Sequence, residues 1–284
     1  INKYISYYDD NLRKQLLSEK NIEDEMHSAL AKGQFVMYLQ PKYDMKSLTV
    51  VGSEALVRWI HPTKGFIAPN DFIPLFEKNG FVLNIDRYMW EQACKAIRSW
   101  IDRGFTPVPI SVNVSRLHLS NEFFIDDLKD LIKKYQIPPE LLELELTESA
   151  GFEDFEKFLE VVNELKKQGF SIAMDDFGSG YSSLNMLRQI PCDILKLDRG
   201  FINDSTTDER GKIVVQHVLS MAKNLSLKTV SEGIETVEQA QFLTDSGCDI
   251  AQGFLYAKPM SLEDFETVAF KNKTVNIDGL DLHK

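Results

Sequence analysis

Eight short strand-like runs, separated by stretches of helical periodicity, constrain this chain more than any other feature. The runs span 35–43, 50–60, 107–115, 141–148, 171–177, 193–199, 227–233 and 250–257. Amphipathic patterns fill 85–103, 120–135, 153–168, 208–224 and 236–246 between them. Strands and helices that alternate in this way cover both faces of a parallel sheet. Eight repeats predict an α/β fold closed as a TIM-like (β/α)8 barrel, with an open doubly wound sheet as the alternative. Only "DMKSLTV" joins the first two runs. A parallel pair needs a crossover of about a dozen residues, so the first strand is predicted to be antiparallel.

Ahead of the barrel, Leu12, Leu16, Ile22, Met26, Ala29 and Leu30 recur at near-helical spacing in a polar segment that stops at Gly33. The expected organisation is a linker helix over 1–32, a barrel over 33–270 and a polar, frayed tail over 271–284. The opening "INKYISYYDD" carries no initiator Met, basic n-region or apolar h-region. It reads as a piece cut from a longer protein rather than as a signal peptide. No apolar run approaches the roughly 18 residues of a membrane span. The formal net charge of −11 argues against DNA or RNA polymers and against anionic membranes as partners of this fragment. Cys94, Cys192 and Cys248 are scattered and are expected as buried thiols in a reducing, cytoplasmic compartment, even if the full-length protein is membrane-anchored. The five histidines show no zinc-ligand spacing.

Each run carries a polar residue near its C-terminal end. In chain order these are Gln40; Glu54 with Arg58; Asn113; Glu145 with Glu148; the adjacent pair Asp175 and Asp176; Lys196 with Asp198; Glu232 with Glu235; and Gln252. A single Glu in a strand usually faces solvent or sits in a structural ion pair. Eight runs marked at the same end point instead to one barrel mouth, where the C-terminal ends of different strands converge.

Glu54, Asn113, Glu145, Asp175, Asp176 and Glu232 are hard oxygen donors without thiolate or imidazole among them. That set suits Mg²⁺ or Mn²⁺. Five carboxylates beside one lysine are unfavourable in a partly dry mouth unless cations bind, and two divalent ions would offset them. Two such ions roughly 3.5–4 Å apart serve in-line hydrolysis of a phosphate ester. In that reading Asp175 bridges the ions and Asp176 reaches the second, brought round by the turn at Phe177-Gly178. Lys196 orients the attacking water, and Arg58 grips a phosphate oxygen. "FGSGYSSL" is a weak motif alone; after the aspartates it reads as a mobile loop. Glu148 either holds that loop or caps "TES" at the surface.

In this order "SEALVRW", "SVNVS", "ELTES", "DDFGSGYSSL", "LKLD", "SEGIE" and "QGF" resemble the EAL domain family of cyclic di-GMP phosphodiesterases, over about residues 33–265. The resemblance implies a barrel with an antiparallel first strand and hydrolysis of cyclic di-GMP to linear pGpG with Mg²⁺ or Mn²⁺. It implies that Glu54, Asn113, Glu145 and Asp175 hold one ion, and that Asp175 and Asp176 hold the other with Glu232 close by. Lys196 is then similar to the lysine that holds the catalytic water, and Glu148 to the residue that anchors the glycine-rich loop. Gln40, Leu56, Arg58, Asp198, Glu235 and Gln252 match substrate-contacting or site-shaping positions. Departures are small, with Ser179 where Thr is common and Leu197 where Ile is common. The first segment resembles the end of a GGDEF-type domain, which makes an upstream sensory or GGDEF-type domain an expected partner. A homodimer through 181–192 is expected from its apolar residues Leu184, Met186, Leu187 and Ile190. The alternative function is a silent cyclic di-GMP receptor, a class that typically loses metal or lysine positions; a third is a barrel acting on another phosphate ester, such as the linear dinucleotide.

Overall fold

The computed structural model describes residues 10–151, 154–178, 184–206, 209–272, 274, 275 and 277. Its strands are β1 (Phe35–Asp44), β2 (Val50–His61), β3 (Gly65–Ile67), β4 (Ile110–Asn113), β5 (Leu142–Thr147), β6 (Ser171–Phe177), β7 (Ile194–Leu197), β8 (Lys228–Ser231) and β9 (Ile250–Ala251). The chain divides into two compact units, Ile1–Val36 with Val57–Ile85, and Met37–Leu56 with Asp86–Lys284.

The larger unit is the barrel. Its staves run in the order β1-β9-β8-β7-β6-β5-β4-β2, and β1 pairs with β2 to close the ring. Strands β2 and β4 to β9 are mutually parallel, while β1 is antiparallel to β9. The tight link between β1 and β2 gives the expected hairpin, in which Asp44 donates its N–H to Thr49 O at 2.9 Å. Parallel strands in register present matching residues to the same face. The pairs Glu54↔Ser111, Asn113↔Glu145, Thr147↔Asp175, Ala173↔Ile194, Lys196↔Val230 and Val230↔Ile250 therefore put one set of side chains inside the ring. The opposite set, such as Leu142, Leu144 and Leu146, is fully buried under the surrounding helices. Inside, Ala173, Ile194 and Val230 form an apolar floor with Ile250 packed on it.

The smaller unit holds the helix Asp10–Ala31, the end of β2 paired antiparallel with β3, and the helix Pro69–Asn79. Phe35, Trp59, Phe72 and Phe76 pack as one aromatic cluster. Pro69 opens the second helix where its missing N–H costs nothing, and Gly80 closes it in the left-handed region.

All five predicted helices start or stop within three residues of the observed ones, Val82–Asp102, Phe124–Tyr135, Phe155–Lys167, Glu209–Asn224 and Val237–Asp245. The eighth run shrinks from 250–257 to the two-residue β9, because Gly253 turns the chain across Ile234. Beyond Asn272, Thr274 bridges Thr49 and Val275 donates to Leu48 O. All three cysteines are buried and free.

The turn after β9 depends on a glycine for steric reasons. A Cβ on Gly253 would lie 2.1 Å from Ile234 O and 2.3 Å from its N, both backbone atoms that carry hydrogen bonds to this turn. Gly253→Ala is expected to cost at least the roughly 1–3 kcal/mol of an overpacked core. A urea denaturation midpoint equal to that of the unaltered protein would refute the packing described.

Candidate active site

The alternation of "LELELT" resembles a half-exposed strand, yet both of its faces are covered. Leucines point to the helices and Glu143, Glu145 and Thr147 point inward. Glu145 is 1% exposed. From β7, Lys196 enters the same space, also 1% exposed. Its Nζ lies 2.7 Å from Glu145 Oε2, 3.0 Å from Asp175 Oδ1, 2.6 Å from Glu232 Oε1 and 4.0 Å from Glu54 Oε2. Residues from β2, β5, β6 and the exit of β8 thus meet on a single ammonium.

The adjacent aspartates are accommodated by a bulge. Met174 pairs with Leu195 and Phe177 with Leu197, so Asp175 and Asp176 together face the one residue Lys196. Asp176 adopts φ +58°, and its N–H donates to Asp175 Oδ1 at 2.9 Å. The extra residue releases both side chains from strict alternation. The chain therefore bends at Asp176 itself, ahead of the Phe177-Gly178 turn. Gly178, with φ +97°, then passes the Phe201 ring so closely that a Cβ would stand 2.7 Å from it.

Gln252 Nε2 donates to Glu54 Oε2 at 2.5 Å and to Gln40 Oε1 at 3.2 Å, while Gln40 Nε2 donates to Ala257 O at 3.1 Å. These contacts join the first, second and last staves at the mouth. Asn113 ends β4 in register with Glu145, exposed, and its carbonyl accepts from Trp90 Nε1 at 3.0 Å. Glu148 is buried at the start of the turn Glu148–Gly151. Asp198 Oδ1 accepts the N–H of Gly200 at 2.7 Å, opening the helix Arg199–Thr206. Glu235 is exposed and pairs with Arg199 at 2.9 Å. Leu56 is half-buried at the end of the barrel portion of β2. Arg58 belongs to the smaller unit, where its Nη1 donates to Val57 O at 2.9 Å. Residues 179–183 of the glycine-rich loop, and the side chains of Leu184 and Met186, lie outside the described residues.

Three further polar residues surround the cluster without having been singled out in the sequence. Lys42 Nζ reaches Ser111 Oγ, Glu143 Oε1 at 2.9 Å and Glu145 Oε1 at 3.0 Å. Ser111 Oγ also donates to Glu143 Oε1 at 2.5 Å. Lys42 stands two residues past Gln40, and Glu143 two before Glu145, which is the spacing that puts each on the same face as its neighbour.

The electrostatics are those of crowded charge away from water. Burial alone would lower the pKa of Lys196, but Asp175, Glu145, Glu232 and Glu54 outweigh it and hold the ammonium well above its ordinary value. Burial pushes Glu145 up, yet Lys196 and Lys42 overcome it and hold the carboxyl down at about 2. Burial raises Glu54 and, with the neighbouring carboxylates, takes Glu232 up to about 8 despite Lys196. Asp176 is raised by burial and by Asp175.

Among the described residues no three carboxyl, imidazole or thiol groups stand close enough to hold a metal ion as placed; Lys196 takes the centre. The donors themselves suit a hard divalent cation, since every acidic ligand candidate is a carboxylate. Glu145 Oε2 and Glu232 Oε1 are buried without an aligned hydrogen bond, although the ammonium is near. Two oxygens with spare acceptor capacity therefore point into the cluster.

The sign of the pH dependence follows. Glu232 binds its proton in the folded chain up to about pH 8 but only to 4.5 when unfolded. The stability this confers is whole below 4.5 and is lost as pH rises towards 8. Glu54 acts in the same direction, while Glu145 and Lys196 titrate outside this window. The melting temperature of metal-stripped protein is expected to fall from about pH 5 to pH 8, and Glu232→Gln to flatten that fall. An equally steep fall in the variant would refute the assignment.

Comparison with known proteins agrees with this architecture. A model of the EAL domain matches residues 23–259. The chain is 35% identical over 257 residues to the bifunctional diguanylate cyclase/cyclic di-GMP phosphodiesterase MucR of Pseudomonas aeruginosa, covering 90% of this chain and 38% of that protein. It is 34% identical over 260 residues to the cyclic di-GMP phosphodiesterase NbdA of the same organism, covering 92% of this chain and 33% of that one. It thus spans about a third of the length of the curated relatives it matches. Among solved structures, the PaMucR phosphodiesterase in complex with c-di-GMP is similar with a TM-score of 0.82 at 37% identity, covering 86% of this chain and 99% of that one. The EAL enzyme Bd1971, in a form bound to cAMP and cyclic di-GMP, is similar with a TM-score of 0.83 at 30% identity, covering 89% and 69%. With the family model spanning the whole barrel and a matching fold at these identities, the chain belongs to the EAL domain family.

Proposed function

We propose that this chain hydrolyses cyclic di-GMP to linear pGpG with two divalent ions, Mg²⁺ or Mn²⁺. The observation that carries the reading is the convergence of Glu54, Glu145, Asp175 and Glu232 on Lys196 at the barrel mouth. The names of MucR and NbdA, both phosphodiesterases of cyclic di-GMP, support the substrate.

Glu54, Asn113, Glu145, Asp175, Asp176 and Glu232 would hold the ions, with Asp175 shared between them. Bound there, such ions lower the pKa of a water and stabilise charge on the phosphate oxygens. Lys196 remains charged throughout, so it can donate to the attacking oxygen and keep it near the phosphorus. Glu232, with its raised pKa, is suited to hold or release a proton near neutral pH. The Gln252–Glu54 contact fixes the rotamer of Glu54. Glu148 would anchor the glycine-rich loop. Gln40, Leu56, Arg58, Asp198, Glu235 and Gln252 are assigned to substrate contact or to shaping its surroundings, Arg58 through a phosphate oxygen.

The greater length of the relatives supports an upstream diguanylate cyclase-type or sensory domain, joined through residues 1–32 to a catalytic domain over 33–270, with 271–284 as its tail. A homodimer is proposed through 181–192. No helix among the described residues is long and apolar enough to cross a membrane.

The test is chromatographic. Incubation with cyclic di-GMP and Mg²⁺ is expected to yield pGpG, and chelation or Asp175→Asn to abolish it. Lys196→Met should lower kcat by about 10²–10³-fold, the typical cost of one donor to the reacting oxygen. Binding of cyclic di-GMP without product, in the full-length protein as well, would favour the receptor reading.

A further inference from the structure

The carboxylate at the centre of the cluster is held from two sides. Glu145 Oε2 faces Lys196, and Glu145 Oε1 faces Lys42, 3.0 Å away. Lys42 has almost no freedom, being 3% exposed and tied to Ser111 Oγ and Glu143 Oε1. Those anchors are themselves joined by the Ser111–Glu143 hydrogen bond. The triad occupies the floor side of the barrel, beside a cavity of about 80 Å³ that it lines together with Gly52, Ile194 and Ile250.

We propose that Lys42 is a positioning residue for the site: it holds Glu145 Oε1 from below, so that Oε2 is presented to the mouth, with Ser111 and Glu143 fixing the ammonium. This inference rests on the metal-binding reading given above. A merely structural ion pair would need only Glu143, whose oxygen is as close as that of Glu145. The second contact places Lys42 one hydrogen bond behind a metal-ligand candidate, the relation in which outer partners set ligand orientation and tune affinity. It also gives a role to the lysine, serine and glutamate that line this cavity beside Ile194, Val230 and Ile250.

The readout is Mn²⁺ affinity of the full chain without substrate, by paramagnetic resonance or calorimetric titration, with Asp175→Asn as the ligand control. Lys42→Met is expected to weaken Mn²⁺ binding about 10–100-fold, the usual effect of losing an outer partner. Because the single variant strands Glu143 and can misfold, Lys42→Met/Glu143→Gln is made as well. It removes the buried pair together and is expected to fold while binding Mn²⁺ as weakly as Lys42→Met. If Lys42 merely neutralises Glu143, the double variant regains the unaltered affinity, which overturns the proposal. Unaltered affinity in a folded Lys42→Met, with only a lower melting temperature, overturns it too. No Mn²⁺ binding by the unaltered chain would overturn the metal reading and this inference with it.

Discussion

Everything at the barrel mouth is arranged around the buried ammonium of Lys196. A cation this far from water is tolerable only with close anionic partners, and removing one side of such a cluster typically costs about 3–5 kcal/mol. Four carboxyl groups from separate strands and loops surround it, Glu145 among them held ionised by Lys196 and Lys42. Because each reports to the same nitrogen, the position of one stave is felt by the others. The lysine thereby sets the relative placement of acidic groups that would otherwise repel one another.

Geometry accomplishes what charge alone would not. A regular β6 would send Asp175 inward and Asp176 outward. The bulge opposite Lys196 and the left-handed backbone of Asp176 remove that restriction at a cost on the order of 1–3 kcal/mol in local strain. Strain of this kind persists where surrounding packing enforces it, here the glycine that lets the chain pass under Phe201.

The alternation of strand and helix patterns made the barrel legible, and the short link between the first two runs gave the antiparallel start. Periodicity does not register a two-residue stave, so β9 looked longer than it is. Helices such as Arg199–Thr206 escaped because they are short and lack an apolar stripe of their own. Most inward polar residues are readable, since an acid, amide or lysine near the end of every run has no bland explanation in a strand covered on both faces. Lys42 carries no such mark, since a lone lysine beside Pro41 and Tyr43 does not differ in sequence from an ordinary edge residue. Only the pairing of β1 through β2 and β4 to β5 brings it against Glu145. The bend begins at Asp176, one residue ahead of the Phe177-Gly178 turn expected from sequence, for a left-handed aspartate leaves no mark in sequence as plain as that of Gly178.

The ring is not equally fastened around its circumference. β5 and β6 share five registered pairs, whereas β9 offers two to β8 and two to β1. The closure is thus a clasp rather than a weld, reinforced by the Leu39–Met260 bridge and the turn at Gly253. Gln252, which steadies Glu54, sits directly on that clasp. The half of the mouth built on β5, β6 and β7 is more tightly knit than the half carrying Gln252 and Gln40. Loosening of the clasp would release the amides at the mouth while leaving the acidic half assembled.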